Sequence, residues 1–277
     1  MKVDQSYRTG SFRDNEDSLR RLRRQASIAV DLEMQHLYGA GLASGMKVMD
    51  LGCGPGIISV EMAQRTSPRM LMAIDCNEIS LAETWRRLTD NSIPQAEARN
   101  CNVYDERLRY TGKYNFIYSR FLFQHLSEPL LALANIRRCL EETGRLCICD
   151  IDDQWLSVTP EPPEFRSLID RAGRGQSARG GDRKVGTKLV HYLERAGYRD
   201  IRSSALLVST DLIGKEAFCD LVFGYKLEVV PDSELETAKQ EFEAVQRNIA
   251  AADGWGGLAV FFVSGRRGPD GVKSVGT

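Results

Sequence analysis

An open, doubly wound α/β sheet is the fold this sequence predicts, and three observations carry it. A short apolar run, Lys47 to Leu51, enters a turn holding Gly52, Gly54 and Gly56, and the segment that leaves it, Ile57 to Gln64, has helical apolar spacing. A second apolar run, Met70 to Ile74, ends in an acid, Asp75, about twenty residues beyond that turn. Strand-like and helix-like stretches then alternate as far as Ile151, the order of a parallel sheet with helices on both faces.

The bulk properties narrow the functions open to such a fold. At 277 residues, 42% of them hydrophobic and 27% charged, the chain has an ordinary globular composition and room for one large domain with elaborations. A net charge of −1 gives no overall attraction to nucleic acid, so a polyanionic partner would need a local basic patch. No apolar run reaches membrane-spanning length and Met1-Lys2-Val3-Asp4-Gln5 does not read as a signal peptide, which predicts a cytoplasmic protein. Seven cysteines form neither a disulfide nor a zinc pattern, so they read as reduced, small apolar residues and no metal is predicted.

Taken in order, Glu16 to Leu42 reads as one or two helices with an apolar stripe and an arginine-rich outer face. After the glycine turn and the second strand comes a helix from Ile79 to Thr89, then a third strand, Ala96 to Val103. Tyr114 to Tyr118 is the fourth strand; Ser127 to Leu140 is a helix, Glu141 to Gly144 a turn, and Arg145 to Ile151 the fifth strand. From Asp153 to Asp182 the chain turns proline- and glycine-rich and reads as a long irregular connection. A helix follows from Arg183 to Ala196, a strand from Asp200 to Ser209, a helical insertion from Asp211 to Ala252, and a last strand from Gly257 to Ser264. The predicted organisation is a helical lid over 1–44 and a sheet domain over 45–277, with cap insertions at about 153–182 and 211–252.

The glycine spacing decides which ligand such a turn admits. A dinucleotide fingerprint needs G-x-G-x-x-G, whereas here the glycines fall as G-x-G-x-G and Ile57 takes the next position; no Gly-Lys-Ser/Thr follows, which excludes a P-loop. A ligand with an adenosine and a charged amino-acid end, but no phosphate, fits. The stretch Val48 to Gly56 closely resembles motif I of class I S-adenosylmethionine-dependent methyltransferases, and the order of elements through His125-Leu126-x-x-Pro129 resembles the ubiquinone- and menaquinone-biosynthesis type. Together these similarities span roughly residues 45–152.

The resemblance implies a Rossmann-like sheet of about seven strands, the last returning antiparallel, with S-adenosyl-L-methionine as cofactor. It implies that Asp50, Gly52, Cys53, Gly54 and Gly56 shape the cofactor turn and that Asp75, with Asn77 beside it, meets the ribose hydroxyls. Asn102 and the Val103 backbone stand where the family holds adenine, with Asp105 the alternative if the register shifts. Ser119 and Arg120 border the cofactor at the end of the fourth strand, and Gln25 or a neighbouring arginine reaches its carboxylate. Tyr7 falls where such enzymes place a lid tyrosine. His125 is the one histidine placed at the site and the candidate base, His36 and His191 being structural or exposed. Tyr7, Phe121, Trp155 and Trp255 are candidates for holding a sulfonium by cation–π attraction.

Three functions compete at this stage. A small, partly apolar metabolite suits a site covered by two insertions, whether carbon, nitrogen or oxygen accepts the methyl, and quinone or secondary metabolism is the expected setting. An RNA or protein substrate is disfavoured, because Ser119-Arg120-Phe121-Leu122 stands where amino-methyltransferases carry Asp/Asn-Pro-Pro-aromatic. A protein that binds the cofactor without transferring its methyl, as a sensor or cyclisation scaffold, shares the same fold and pocket. A homo-oligomer stays open.

Overall fold

A computed structural model describes residues 30–268. Seven strands form one sheet in the order β3-β2-β1-β4-β5-β7-β6: β1 (Lys47–Leu51), β2 (Met70–Asp75), β3 (Ala96–Asn100), β4 (Tyr114–Arg120), β5 (Leu140–Thr159), β6 (Tyr198–Ser209) and β7 (Trp255–Arg267). The first five run parallel, and β7 returns antiparallel between β5 and β6. The order reverses between β1 and β4, which opens a crevice at the carboxyl ends of the strands where doubly wound sheets bind ligands.

Helices α1 (Val30–Gly39), α2 (Ile57–Thr66) and α3 (Glu78–Asp90) precede β1, β2 and β3, and α4 (Pro129–Cys139) precedes β5. Strands flanked by helices on both faces must be apolar throughout, which is why β1 and β2 read as continuous hydrophobic runs rather than alternating ones. Two cores result. Met34, Leu37, Val48, Leu71 and Phe116 belong to one, and Met49, Met72, Ile117, Ile136 and Ile148 to the other.

The segment after β4 and β5 departs from expectation. β5 does not stop at Ile151 but runs on to Thr159, because β7 is long enough to pair with the extension, Leu156 lying opposite Leu258 and Thr159 opposite Trp255. The expected turn at Glu141 to Gly144 lies within the same strand as an irregularity, the register passing from Tyr114–Leu140 to Phe116–Arg145. Residues Pro163–Ala178, expected to be irregular, form helix α5. Phe165, Leu168, Ile169 and Ala172 recur at helical spacing and are buried, and Gly175 is small because a β-carbon there would come 2.0 Å from the Val229 carbonyl oxygen. The glycines that looked like flexibility are thus in part a close helix crossing.

Beyond α6 (Leu189–Arg195) and β6 the second insertion is helical as expected: a short α7 (Thr210–Ile213), α8 (Lys215–Val229) and α9 (Leu235–Ala250). Phe223 of α8 meets Phe165 of α5 and Phe242 of α9 with ring centres 6.2 and 6.3 Å apart, so the two insertions share one core. Of the expected N-terminal lid, Val30–Gly39 is helical, while Tyr7, Gln25 and the arginines at 20, 21, 23 and 24 lie outside the described residues.

Gly56 opens α2 at φ 74°, and a β-carbon there would stand 2.7 Å from Thr84 Cγ2. Gly56→Ala is expected to destabilise the fold by about 2–4 kcal/mol, the left-handed backbone and the clash adding, as read by urea denaturation.

Candidate active site

The glycine turn is built by backbone bonds between neighbouring strands. The N–H groups of Gly52 and Cys53 both donate to the Ile74 carbonyl at 2.7 and 2.9 Å, which pins the turn to the end of β2. Gly54 N–H donates to Asp75 Oδ2 at 2.8 Å, and Asn77 N–H donates to Oδ1 at the same distance. The Cys76 N–H is a third backbone donor to this carboxylate, whose two oxygens together offer about four acceptor sites. Burial raises the Asp75 carboxyl above its ordinary value, opposed by these N–H groups. A β-carbon on Gly54 would meet no protein atom within 4 Å, so it would fill the cradle beside Asp75.

The other residues expected around the cradle divide by role. Asp50 is buried and receives the Ser59 hydroxyl at 2.6 Å, and burial pushes its carboxyl up to about 7. Cys53 turns its thiol to the Thr84 hydroxyl, and Asn77 caps α3 by accepting Ser80 N–H at 2.9 Å, so both support the cradle from behind. Gly56 backs onto Thr84 of α3, which makes it a packing glycine rather than a lining one. The Asn102 amide oxygen accepts Tyr104 N–H at 2.9 Å, so the expected adenine acceptor already holds its own loop. Asp105, the alternative, is taken by Arg107, whose Nε lies 2.7 Å away. Val103 buries its side chain and accepts Asn135 Nδ2 at its carbonyl.

At the end of β4, Ser119 is fully buried and its hydroxyl oxygen has no partner among the described residues. Arg120 Nε pairs with Glu33 Oε2 at 2.9 Å, and Tyr118 donates its hydroxyl to Glu33 Oε1 at 2.7 Å. Burial opposes the charge on Arg120, but the Glu33 carboxylate outweighs it and holds the guanidinium protonated. The next residue, Phe121, has φ 52° and lies beneath the Arg120 guanidinium, 4.4 Å from ring centre to Cζ. A non-glycine in the left-handed region costs energy that the surroundings must over-determine, and here Phe121 N–H is fixed on the Cys149 carbonyl at 2.8 Å. Glu33 was not singled out in the sequence, where it is one acid beside the apolar Met34 and Leu37.

His125 has a different place from the one expected. It ends a short 3-10 turn, Phe123–His125, beneath the cap and is buried. Gln176 of α5 donates from Nε2 to the Gln124 carbonyl at 3.0 Å and lies 3.2 Å from His125 Nδ1, which assigns Nδ1 as the acceptor and puts the imidazole proton on Nε2. Tyr225 of α8 closes the ring, its hydroxyl 3.5 Å from Nε2 and donating to Gln176 Oε1 at 3.3 Å. Burial, and then the Arg183 charge, lower the imidazole to about 3, so it is neutral at physiological pH. With its Nδ1 lone pair engaged by Gln176, His125 ties the turn after β4 to α5 and α8 in this conformation.

A second buried knot lies alongside. Asp153 receives Arg183 through Nε at 2.5 Å and Nη2 at 3.1 Å, and Lys226 of α8 lies 2.9 and 3.0 Å from its two oxygens. Arg183 also reaches the Gln124 side-chain oxygen at 3.3 Å. Burial alone would raise the Asp153 carboxyl, but Arg183 and Lys226 hold it down to about 2; burial and Arg183 lower Lys226 to about 8. Neither cation was singled out in the sequence, although Lys226 interrupts the apolar stripe of α8 as a stranded charge. Of the expected tryptophans, Trp155 is 57% exposed and edge-on to Phe261, and Trp255 donates its indole N–H to Asp211.

The strand order, the glycine cradle and the acid at the end of β2 define a class I methyltransferase-type protein, a sheet that takes a nucleoside cofactor at its switch point. Residues 42–177 match the family described as a methyltransferase domain, and over that stretch the chain is similar to the class I S-adenosylmethionine-dependent methyltransferases. It is 29% identical over 90 residues to a ubiquinone biosynthesis O-methyltransferase of Acinetobacter baumannii, 32% of this chain and 37% of that one. The chain spans 34–47% of the length of curated relatives it matches.

Among solved structures, it superposes on phosphoethanolamine N-methyltransferase 2 of Haemonchus contortus in complex with S-adenosyl-L-methionine, with a TM-score of 0.57, 15% identity, and coverage of 86% of this chain and 53% of that one. Geranyl diphosphate C-methyltransferase of Streptomyces coelicolor, in complex with magnesium, geranyl diphosphate and S-adenosyl-L-homocysteine, gives 0.55 at 14% identity, covering 96% and 90%. These two likenesses establish the fold. S-adenosyl-L-methionine is the cofactor of this class, and the cradle fits it: open space at Gly54, lone pairs on Asp75 and a buried, unpartnered hydroxyl at Ser119. No cluster of metal-binding side chains occurs among the described residues.

Asp153 is the test of the cap fastening. Its depressed carboxyl contributes stability that is present above the ordinary aspartate value of 3.8 and is lost as pH falls through about 2. In urea titrations Asp153→Asn is expected to be less stable than the wild type at pH 6, with the difference closing as pH approaches 2.

Proposed function

We propose that this protein transfers a methyl group from S-adenosyl-L-methionine to the carbon, nitrogen or oxygen of a small-molecule acceptor, in quinone or secondary-metabolite biosynthesis. The observation that carries this reading is the seated cap: α5 and α8 are fastened to the ends of β4 and β5 through His125 and Asp153. Insertions fastened to the strand ends by buried polar bonds favour an enclosed pocket for a small acceptor over an open groove for a macromolecule. Relatives of this fold include a ubiquinone biosynthesis enzyme and enzymes acting on phosphoethanolamine and geranyl diphosphate, which supports small acceptors as a class.

When bound, the cofactor supplies an electrophilic methyl on a sulfonium, for in-line attack from about 3 Å. Asp75 receives the ribose hydroxyls on the acceptor capacity that the Gly54, Cys76 and Asn77 N–H groups leave available, and Ser119 supplies a hydroxyl at the inner wall. Arg120, held by Glu33, shapes the floor beside them. His125 keeps the cap seated as a neutral Nε2–H imidazole, so an acceptor that must lose a proton loses it to another group or arrives already deprotonated. Seven free cysteines suit a reducing compartment, and we place the protein in the cytoplasm.

Calorimetry of cofactor binding tests the site. Asp75→Ala is expected to weaken S-adenosyl-L-methionine by about 10- to 100-fold, the loss of charge-assisted bonds, and Asp75→Asn less, since it keeps an acceptor. Equal affinity in all three proteins would remove the ribose contact. For His125, the pH–rate profile of His125→Ala is expected to keep every transition of the wild type while its rate falls. A transition that vanishes with the imidazole would restore it as a base.

A further inference from the structure

A cavity of about 390 Å³ lies under the end of α1, on the sheet face made by β5, β7 and β6, and it belongs to none of the chemistry above. The antiparallel register builds its floor. Cys147, Ser264 and Arg202 stand abreast on the three strands, with Phe262 and Ser204 paired in the next row and Arg145 and Arg266 in the row on the other side. Residues two apart on a strand share a face, so Arg145, Arg202 and Arg266 all belong to the face that α1 overlies. His36 of α1 makes one wall, stacked on Phe262 at 4.3 Å with Nδ1 2.9 Å from the Ser204 hydroxyl.

The charges on this face do not balance. Asp200 pairs through its carboxylate with Arg266 Nε at 2.9 Å, while Arg145 reaches only its backbone carbonyl, at 3.1 Å. Arg202 has no ion pair among the described residues. Glu33 of α1, whose charge is felt at His36 and Cys147, already holds Tyr118 and Arg120. Burial, followed by the charge of Arg202, lowers Arg145 below the usual guanidinium range. Like charges opposed across strands are destabilising, and the cavity sets Arg202 beside the hydroxyls of Ser204 and Ser264, with Arg145 and Arg266 in the neighbouring row adding positive potential, which is complementary to an oxyanion.

We propose that this cavity is a second ligand site, distinct from the cofactor cradle, that takes a small molecule bearing a phosphate or carboxylate group. Arg202 grips the anion from the sheet edge, Ser204 and Ser264 donate hydroxyls from the floor, and His36 on Phe262 supplies a flat wall for the rest of the molecule. Its volume limits the ligand to metabolite size.

Calorimetry of the full chain with pyrophosphate and with citrate, each against sodium chloride of matched ionic strength, tests the proposal. One saturable site is expected for at least one of the two anions, undisturbed by saturating S-adenosyl-L-homocysteine. Arg202→Ala is expected to weaken that anion by about tenfold or more, Arg202→Lys by less, and both to leave S-adenosyl-L-methionine affinity unchanged. Arg202 is exposed on an edge strand, so the variants keep the fold, and circular dichroism checks this. Binding displaced by S-adenosyl-L-homocysteine would place the anion in the cofactor cradle, binding indifferent to Arg202 would place it elsewhere, and no saturable binding of either probe would leave the cavity without its ligand class. Each of these results overturns the proposal.

Discussion

The contact on which the site depends is the 2.8 Å hydrogen bond from Gly54 N–H to Asp75. It joins the turn after β1 to the end of β2, two points that are neighbours only because these strands pair in parallel and in register, Leu51 beside Ile74. The same carboxylate that organises the turn has the remaining lone pairs to receive a ligand. Its burial makes every bond to it matter, since an ionised group removed from water must be compensated by donors. Turn, acid and the cap of α3 at Asn77 therefore form one unit that stands or falls together.

What the sequence disclosed follows from range. Gly52, Gly54 and Gly56 announce a turn because the backbone requires it locally, and Asp75 follows at a distance fixed by one helix and one strand. A mostly parallel sheet of about seven strands with its last strand antiparallel was legible by resemblance, and the helix expected over 79–89 is present at Glu78–Asp90. The extension of β5 was not legible, because its partner strand lies a hundred residues later and polar Asp152, Asp153 and Gln154 hide the pattern at a register irregularity between Ile151 and Leu156. Helix α5 was masked by glycines whose reason, the approach of the Val229 carbonyl, is tertiary. The partners Glu33, Gln176, Arg183 and Lys226 gain meaning only from what faces them.

Helix α1 connects two regions that would otherwise be unrelated. Glu33 secures Tyr118 and Arg120 at the end of β4, and one turn later His36 forms the wall of the basic cavity. Residues three apart lie on the same side of a helix, so a displacement of α1 moves both contacts together. The covering helix is thus held at one end by a buried ion pair and at the other by a stacked ring. That arrangement fixes its orientation more firmly than the apolar contacts of Met34 and Leu37 alone.

The cap is fastened differently from the rest of the fold. Its three helices join through aromatic packing, but the seat on the sheet adds two buried polar knots, the Gln176–His125–Tyr225 ring and Asp153 with its two cations. Apolar contacts loosen gradually as surfaces part, whereas a buried carboxylate stripped of one cation costs about 3–5 kcal/mol at once. Lifting α8 would take Lys226 from Asp153 and Tyr225 from His125 in the same movement. The buried polar bonds therefore hold α5 and α8 in one well-defined position on the sheet. His125 is part of that fastening, so the imidazole that the sequence made most conspicuous is tied into the packing of α5 and α8.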